Sequence, residues 1–513
     1  MNVAVDFATH MESASTNPKS YGQILKSSAV IGGSSAVTLV LGMVRAKAIA
    51  LLLGTGGYGL WGICNSIVEL SQTIAGMGMN GSGVRQIAET TGSGDEQRIA
   101  RTVITLRRVS RVLGVVGAIL LAVFSRRVAL FSFGDAGYAP MVAILSLTVL
   151  CNIISQGQNA LLQGVRRIAD MAKDKVLGAI FSTLVCIPII YFFRERGIAW
   201  ALVSVAGFSV LTSWLFARRV KVVSVKMRVA DFFNETGELF KLGAVFLTTG
   251  LMVVGVNYCI NIILMRRMDA NAVGLYGAAW LVGGYFAGFV LQAMGTDFYP
   301  RLTAIAGDHA KCNQLVNEQT EIGILLAGPG MVATLTFAPW AIQILQSAKF
   351  LPAVDVLRWI SLGILLRVIA WPMGFIMLAK NAKSVFFLSE LGSSATYLAM
   401  VWFAVGHWGV NGVGMAFVAM YVLYIIAVYA ISRKLTGFIW SRASWQLISS
   451  YLTLALVVSV AFYFLGELVA TIIGVMVMSG MAVYSIRKIA SLLPPERFPR
   501  RFRRLLVKLR VLD

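Results

Sequence analysis

The sequence predicts an all-α, polytopic membrane protein of about 14 transmembrane helices, arranged as two pseudo-symmetric six-helix lobes followed by two C-terminal helices. Three observations predict this. Apolar residues fill 58% of the 513 positions, only 13% are charged, and mean hydropathy is +0.76, more apolar surface than a soluble domain hides. The apolar residues come in runs near the roughly 20 residues that a spanning helix needs. Most of the 45 Lys and Arg residues fall in alternate gaps between those runs, the asymmetry expected when basic loops stay on the cytoplasmic side.

Taken in order, the predicted spans are 27–53, 57–79, 109–131, 139–163, 173–193, 197–219, 241–266, 272–298, 319–346, 354–379, 384–406, 409–433, 446–466 and 468–487. An even count with a basic N-terminal side places both termini in the cytoplasm. The corresponding parts are a cytoplasmic segment 1–26, an N-lobe 27–219, an interfacial linker 220–240, a C-lobe 241–433, two further helices within 434–487 and a basic amphipathic tail 488–513. Residues 1–20 are polar and carry acids, so the first span is expected to serve as the insertion signal.

Shifting the chain by 215 positions lays Gly59-Leu60-Trp61-Gly62 on Gly274-Leu275-Tyr276-Gly277, and Gly197-Ile198-Ala199-Trp200-Ala201 on Gly412-Val413-Gly414-Met415-Ala416. Two separated matches at one offset indicate duplication. With six crossings per unit the halves keep the same orientation and relate by an axis along the membrane normal, a transporter arrangement.

Charges inside spans are costly, about 2.5–3.5 kcal/mol at the bilayer centre, so they face a cavity or a partner. In the first span Ser34, Thr38, Gly42 and Arg45 share one face, while Lys47 sits near the outer end where its stem can snorkel. The second span aligns Asn65, Glu69 and Gln72. The fourth aligns Asn152, Ser155, Gln156, Asn159 and Gln163. The seventh carries Asn257 and Asn261, and the eleventh Glu390, Ser393, Ser394 and Tyr397. Arg367 lies mid-span in the tenth with Trp371 a turn below, and Arg358 near its outer end is placed to snorkel. Two readings stand side by side. The deep charges pair as interhelical glue, Arg45 with Glu69 and Arg367 with Glu390, or the stripes line a wet chamber in which Arg45 and Arg367 hold a phosphate through their permanently charged, bidentate guanidinium forks.

Other signals carry less. The net charge of +22 is spread over short loops beside apolar spans, as the positive-inside asymmetry requires and nucleic-acid binding does not. Gly54-Thr55-Gly56-Gly57-Tyr58-Gly59 has the GxGxxG spacing but joins two spans without a preceding strand, which leaves a tight turn. Cys64, Cys151, Cys186, Cys259 and Cys312 are widely spaced and read as packing residues. His10, His309 and His407 lack companions at metal spacing, and no cofactor is implied. The tail residues Phe502, Leu505, Leu506 and Leu509 share a face among arginines, as in a helix lying on anionic lipid. Phe232, Phe233, Leu239 and Phe240 are expected to hold the linker at the interface.

Ala29-Val30-Ile31-Gly32-Gly33-Ser34, Leu41-Gly42-Met43-Val44-Arg45, Gly83-Val84-Arg85-Gln86-Ile87-Ala88-Glu89, Asp297-Phe298-Tyr299-Pro300-Arg301-Leu302, Asn317-Glu318-Gln319-Thr320-Glu321, Leu357-Arg358-Trp359, Leu366-Arg367-Val368 and Trp371-Pro372 together resemble the O-antigen-type lipid-linked oligosaccharide flippases, of the polysaccharide transporter family in the MOP exporter superfamily. The similarity runs to about residue 435. It implies a two-lobed, V-shaped transporter that passes an undecaprenyl-diphosphate-linked sugar unit from the inner to the outer leaflet of a bacterial inner membrane by alternating access, without breaking a bond. Its implied partners are that substrate, membrane lipids and polysaccharide polymerase or assembly proteins. Related peptidoglycan-precursor flippases share the Leu-Gly-x-x-Arg of the first helix, which gives Arg45 the head-group role. They also share two extra C-terminal helices that form a lipid-tail groove, while many O-antigen flippases have twelve helices. Glu69 and Glu390 are the candidate ion-coupling acids. A multidrug exporter of the same superfamily favours acidic rather than basic cavity residues, a glycan polymerase needs a large catalytic loop, and a scaffold of a polysaccharide assembly complex tolerates loss of the cavity charges.

Overall fold

The computed structural model describes residues 18–93, 95–220, 225 and 229–492. Among them every regular element is helical. The helices are α1 (Pro18–Gly76), α2 (Met79–Ser93), α3 (Glu96–Val123), α4 (Ser125–Phe133), α5 (Ala139–Gly164), α6 (Ile168–Phe193), α7 (Ile198–Ala217), α8 (Val229–Arg267), α9 (Ala270–Ala304), α10 (His309–Thr336), α11 (Ala338–Leu345), α12 (Ala353–Ala379), α13 (Lys383–Trp408), α14 (Asn411–Thr436), α15 (Arg442–Phe464) and α16 (Glu467–Leu492). The tail that was expected to lie on lipid falls outside the described residues.

Apart from a few end residues and two bends, each of the fourteen expected spans falls on helix. By length and hydropathy alone, nine helical stretches among the described residues qualify to cross a bilayer, or up to eleven with each bent pair taken as one span. Two of the nine, Gly32–Gly76 and Ile168–Ala217, each contain two of the expected spans. Large apolar side chains stand exposed on these helices, Val253 at 74%, Phe403 at 68% and Phe464 at 77%. Lipid is the solvent that tolerates such a surface.

Three local features differ from expectation. The glycine-rich segment 54–59 is not a six-residue turn. Only Gly54 leaves the helix, at φ 69° and ψ −167°, a backbone conformation open to glycine and strained for other residues. The third span bends by 66° where α3 gives way to α4, and the ninth by 76° where α10 gives way to α11. In the second case Pro339 in the first turn of α11 lacks an N–H and starts a new helix rather than continuing the old one. The two bends, at Phe124 and Phe337, occupy matching places in the two halves of the repeat. Near the start of α8, Leu239 is fully buried among Met79, Ile87, Val103 and Leu106, with Phe232 and Phe240 packed against that cluster.

Contacts divide the chain into two compact units. The first holds the described residues up to Leu53 together with Ile63–Tyr258, and the second holds Gly54–Gly62 together with the described residues from Cys259 onward. The core of the first forms around Ile87, Val103, Leu106 and Leu161. The core of the second forms around Phe298, Val316, Met373, Met377 and Phe438.

In the second unit α10 fastens the connection between α14 and α15 along one face. Asn313 donates to the Thr436 carbonyl at 2.9 Å and accepts from its hydroxyl at 2.7 Å. Asn317 donates to the Ile439 carbonyl at 3.1 Å and accepts from the Ser441 N–H at 2.8 Å, and Glu321 accepts from the hydroxyls of Ser441 and Ser444. Asn317 is 8% exposed, so Asn317→Ala leaves two part-buried backbone groups without these partners, at a cost of about 1 kcal/mol. Its melting temperature in detergent should fall clearly below that of wild type, whereas Gln314→Ala on the exposed face should leave it unchanged.

Candidate functional site

Each unit presents one deep arginine. In the first unit Arg45, on α1, is half-buried and its Nη1 donates to the hydroxyl of Ser182 on α6 at 3.2 Å. Ser182 in turn donates to the Ala179 carbonyl, so one guanidinium edge is held and the rest of its donors are left open. In the second unit Arg367, on α12, lines a cavity of about 220 Å³ with Trp371, Phe375, Glu390, Tyr421 and Tyr424 among its walls. Glu390, on α13, accepts from the Tyr424 hydroxyl of α14.

Among the described residues neither Arg45 nor Arg367 lies within ion-pair distance of a carboxylate. The ion pairs present are peripheral, such as Arg85 with Glu89 and Arg167 with Asp170, both at 2.8 Å. Of the two readings, the pairing of Arg45 with Glu69 and of Arg367 with Glu390 therefore does not form. Arg367 and Glu390 share one cavity, with the acid engaged by a tyrosine and the cation open. Glu69 is exposed on α1, where only its backbone carbonyl is engaged, by Thr73.

The polar stripes of the first unit join one another in part. Asn152 donates to Gln72 at 2.8 Å, linking α5 to α1. Asn159 donates to Ser155, and Ser213 of α7 bonds both Ser155 and Gln158. Gln156 stays half-buried beside them. On α1, Thr38 returns its hydroxyl to the Ser34 carbonyl, and both Ser34 and Asn65 have partners. On α8, Asn261 is buried at 6% and Asn257 half-buried. On α13, Ser394 is half-buried, while Tyr397 is buried against the Phe417 ring with centroids 5.6 Å apart and is not among the walls of the Arg367 cavity.

Several residues escaped the sequence reading. Asp174 on α6 is only 4% exposed, with Oδ1 lacking a hydrogen-bond partner among the described residues and its carboxyl facing Thr212 and Asn159. Flanked by Lys173 and Lys175 it looks like a loop acid, and only the packing of α6 on α7 turns it inward. Tyr421 and Tyr424 complete the walls around Arg367, one turn apart on a face of α14 that reads as plain aromatic core. The guanidinium of Arg358 lies 3.9 Å from the centre of the Phe462 ring and bonds Asp355 at 3.3 Å, a turn toward the start of α12.

Each unit of this helical membrane fold thus presents a deep cation outside the ion pairs formed among the described residues. Solved structures share the fold. The lipid II flippase MurJ in an inward closed conformation matches with a TM-score of 0.67 and 13% identity over 89% of this chain and 99% of its own. A multidrug resistance MATE family transporter of the MOP superfamily in an inward-facing conformation matches at 0.63 and 16% identity, over 82% and 96%. The lipid III flippases of Escherichia coli (strain K12) and Shigella flexneri are each 20% identical over 412 residues, 78% of this chain and 96% of theirs. A family model described as polysaccharide biosynthesis protein matches residues 48–355. The chain belongs to that polysaccharide biosynthesis family.

Proposed function

We propose that this protein is a flippase that moves an undecaprenyl-diphosphate-linked oligosaccharide, an O-antigen or related surface-polysaccharide repeat unit, from the cytoplasmic to the periplasmic leaflet of a bacterial inner membrane. The observation that carries the reading is that neither deep arginine is ion-paired among the described residues, and that Arg367 lines a cavity. A permanently charged fork kept out of ion pairs suits a diphosphate, whose oxygens it meets two at a time. The family match and the lipid III flippase relatives support the same substrate class.

The charge pattern of the loops puts both termini on the cytoplasmic side. The diphosphate is neutralised by Arg45 and Arg367 while the head group is accessible from the cytoplasm. The units then alternate their exposure, and the head group leaves on the other side with its prenyl tail still in lipid. Ion movement through Glu69 and Glu390 supplies the driving force, since one charge crossing 100 mV contributes about 2.3 kcal/mol. Glu390 is poised for this because its carboxylate is held by Tyr424 beside the Arg367 cation.

Reconstitution tests the proposal. Vesicles carrying an undecaprenyl-diphosphate-linked oligosaccharide and the purified protein are given a membrane-impermeant glycosidase, and the fraction of glycan protected in the inner leaflet is followed with time. Protein-dependent loss of that protection is expected, and persistence of the protected half at any protein density rejects the assignment.

A further inference from the structure

The first unit holds a second cationic recess that the proposed transport cycle does not use. It has a volume of about 320 Å³ and lies between α3, α5 and α7, lined by Arg107, Ser110, Arg111, Gln158, Trp214 and Arg218 among others. Arg107 and Arg111 stand one helical turn apart on the same face of α3. Arg218 follows the last residue of α7, on the face that the loop charges assign to the cytoplasm.

Each guanidinium is fixed by one contact and left with donors to spare. Arg107 donates through Nη2 to the Ala217 carbonyl at the end of α7, at 3.0 Å. Arg111 donates through Nε to the Arg107 carbonyl at 3.1 Å. Arg218 lies face-on to the Trp214 ring, 4.8 Å from its centre, which leaves the N–H groups along its edge unused. None of the three is paired with a carboxylate among the described residues, although elsewhere in this unit Arg85 and Arg167 are. Arg107 and Arg111 also repel one another.

A further group points to a ligand. Ser110 is 3% exposed, lines the recess, and its hydroxyl has no hydrogen-bond partner among the described residues. It fits there because residue 157 has no side chain: a Cβ on Gly157 would sit 2.2 Å from the Ser110 oxygen. Three held but unpaired cations around a buried, unused hydroxyl make a charge-assisted cradle for tetrahedral oxygens.

We propose that this recess binds a phosphate group, independently of Arg45 and Arg367. Its source is either the headgroup of an anionic phospholipid in the adjoining leaflet or inorganic phosphate from solution. The occupant neutralises the repulsion between Arg107 and Arg111 and ties the middle of α3 to the end of α7.

The test uses the full-length protein in phosphatidylcholine nanodiscs, with phosphatidylglycerol titrated in one arm and inorganic phosphate in the other. The variants are the double substitution Arg111→Gln with Arg218→Gln and a charge-matched control, Arg126→Gln with Arg127→Gln. Bound phosphatidylglycerol is counted by native mass spectrometry, and phosphate binding is read as a rise in melting temperature. Wild type and control should bind one of the two probes about tenfold more tightly than the double variant, as expected when charge-assisted hydrogen bonds are lost. Phosphatidylglycerol retention identifies a lipid-borne phosphate, and a melting shift with inorganic phosphate identifies a soluble one. Equal binding of both probes by wild type and the double variant overturns the proposal, and so does an equal loss in the control. Because no glycan transport is read, a failed flippase assay leaves this result standing, and the reverse holds as well.

Discussion

Arg367→Ala should reduce flipping of the lipid-linked glycan by about a hundredfold, and Arg45→Ala by a similar factor, with protein level and melting temperature close to wild type. The size follows from losing a bidentate, charge-assisted contact to a diphosphate, worth roughly 3 kcal/mol. Folding should survive for reasons visible at each position. Ser182 keeps its own bond to the Ala179 carbonyl when Arg45 is removed. Glu390 keeps its bond from Tyr424 when Arg367 is removed, so neither change strands a buried partner, the usual cause of collapse when a charge is deleted. Arg367→Lys and Arg45→Lys separate charge from geometry: each keeps the cation and loses the fork, so each should transport at an intermediate rate. If both alanine variants move glycan at the wild-type rate, the diphosphate is held elsewhere. If they fail only because the protein no longer accumulates, the arginines are structural.

The architecture was legible because bilayer physics writes on the sequence at low resolution. A span must be long and apolar, and its flanking cations must favour one side. Neither rule needs a contact partner, so the helices around Arg45 and Arg367 fall where hydropathy puts them. The bends at Phe124 and Phe337 each carry a sequence mark, Ser125-Arg126-Arg127 interrupting the apolar run at the first and Pro339 following the second. Hydropathy averaged over a span passes over both marks, and the direction of each bend depends on packing. Helical periodicity placed Asn152, Asn159 and Gln72 on polar faces, and these do meet others of their kind. Periodicity cannot say which face meets which helix. For that reason it left open whether Arg367 pairs with Glu390, and the acid is instead taken by Tyr424, which reaches across from α14. The inward turn of Asp174 likewise depends on how α6 packs on α7, which no spacing along α6 reveals.

The internal repeat makes the second large prediction. Its matched glycines meet within the second unit. A Cβ on Gly59 would lie 1.8 Å from the Ala270 carbonyl oxygen, and a Cβ on Gly274 would lie 2.0 Å from the Thr55 carbonyl oxygen. Thr55 and Ala270 are themselves 215 positions apart, as Gly59 and Gly274 are, so the contact is reciprocal, the signature of a local two-fold. Backbone atoms, unlike the end of a flexible side chain, have little room to yield. Gly59→Ala or Gly274→Ala should therefore cost at least the 1–3 kcal/mol typical of overpacking, lower the melting temperature, and suppress transport. The helical setting sharpens the comparison, since alanine in place of an unconstrained helical glycine usually adds about 0.5–1 kcal/mol of stability. Gly255, in the interior of α8, has nothing within 4 Å of its ideal Cβ, so Gly255→Ala should be neutral or slightly stabilising. A Gly59→Ala protein that melts and transports like wild type would mean that the two helices do not approach this closely in the membrane. A deficit in Gly59→Ala that is matched by Gly274→Ala, and absent from Gly255→Ala, places the close approach at the repeat's own glycines.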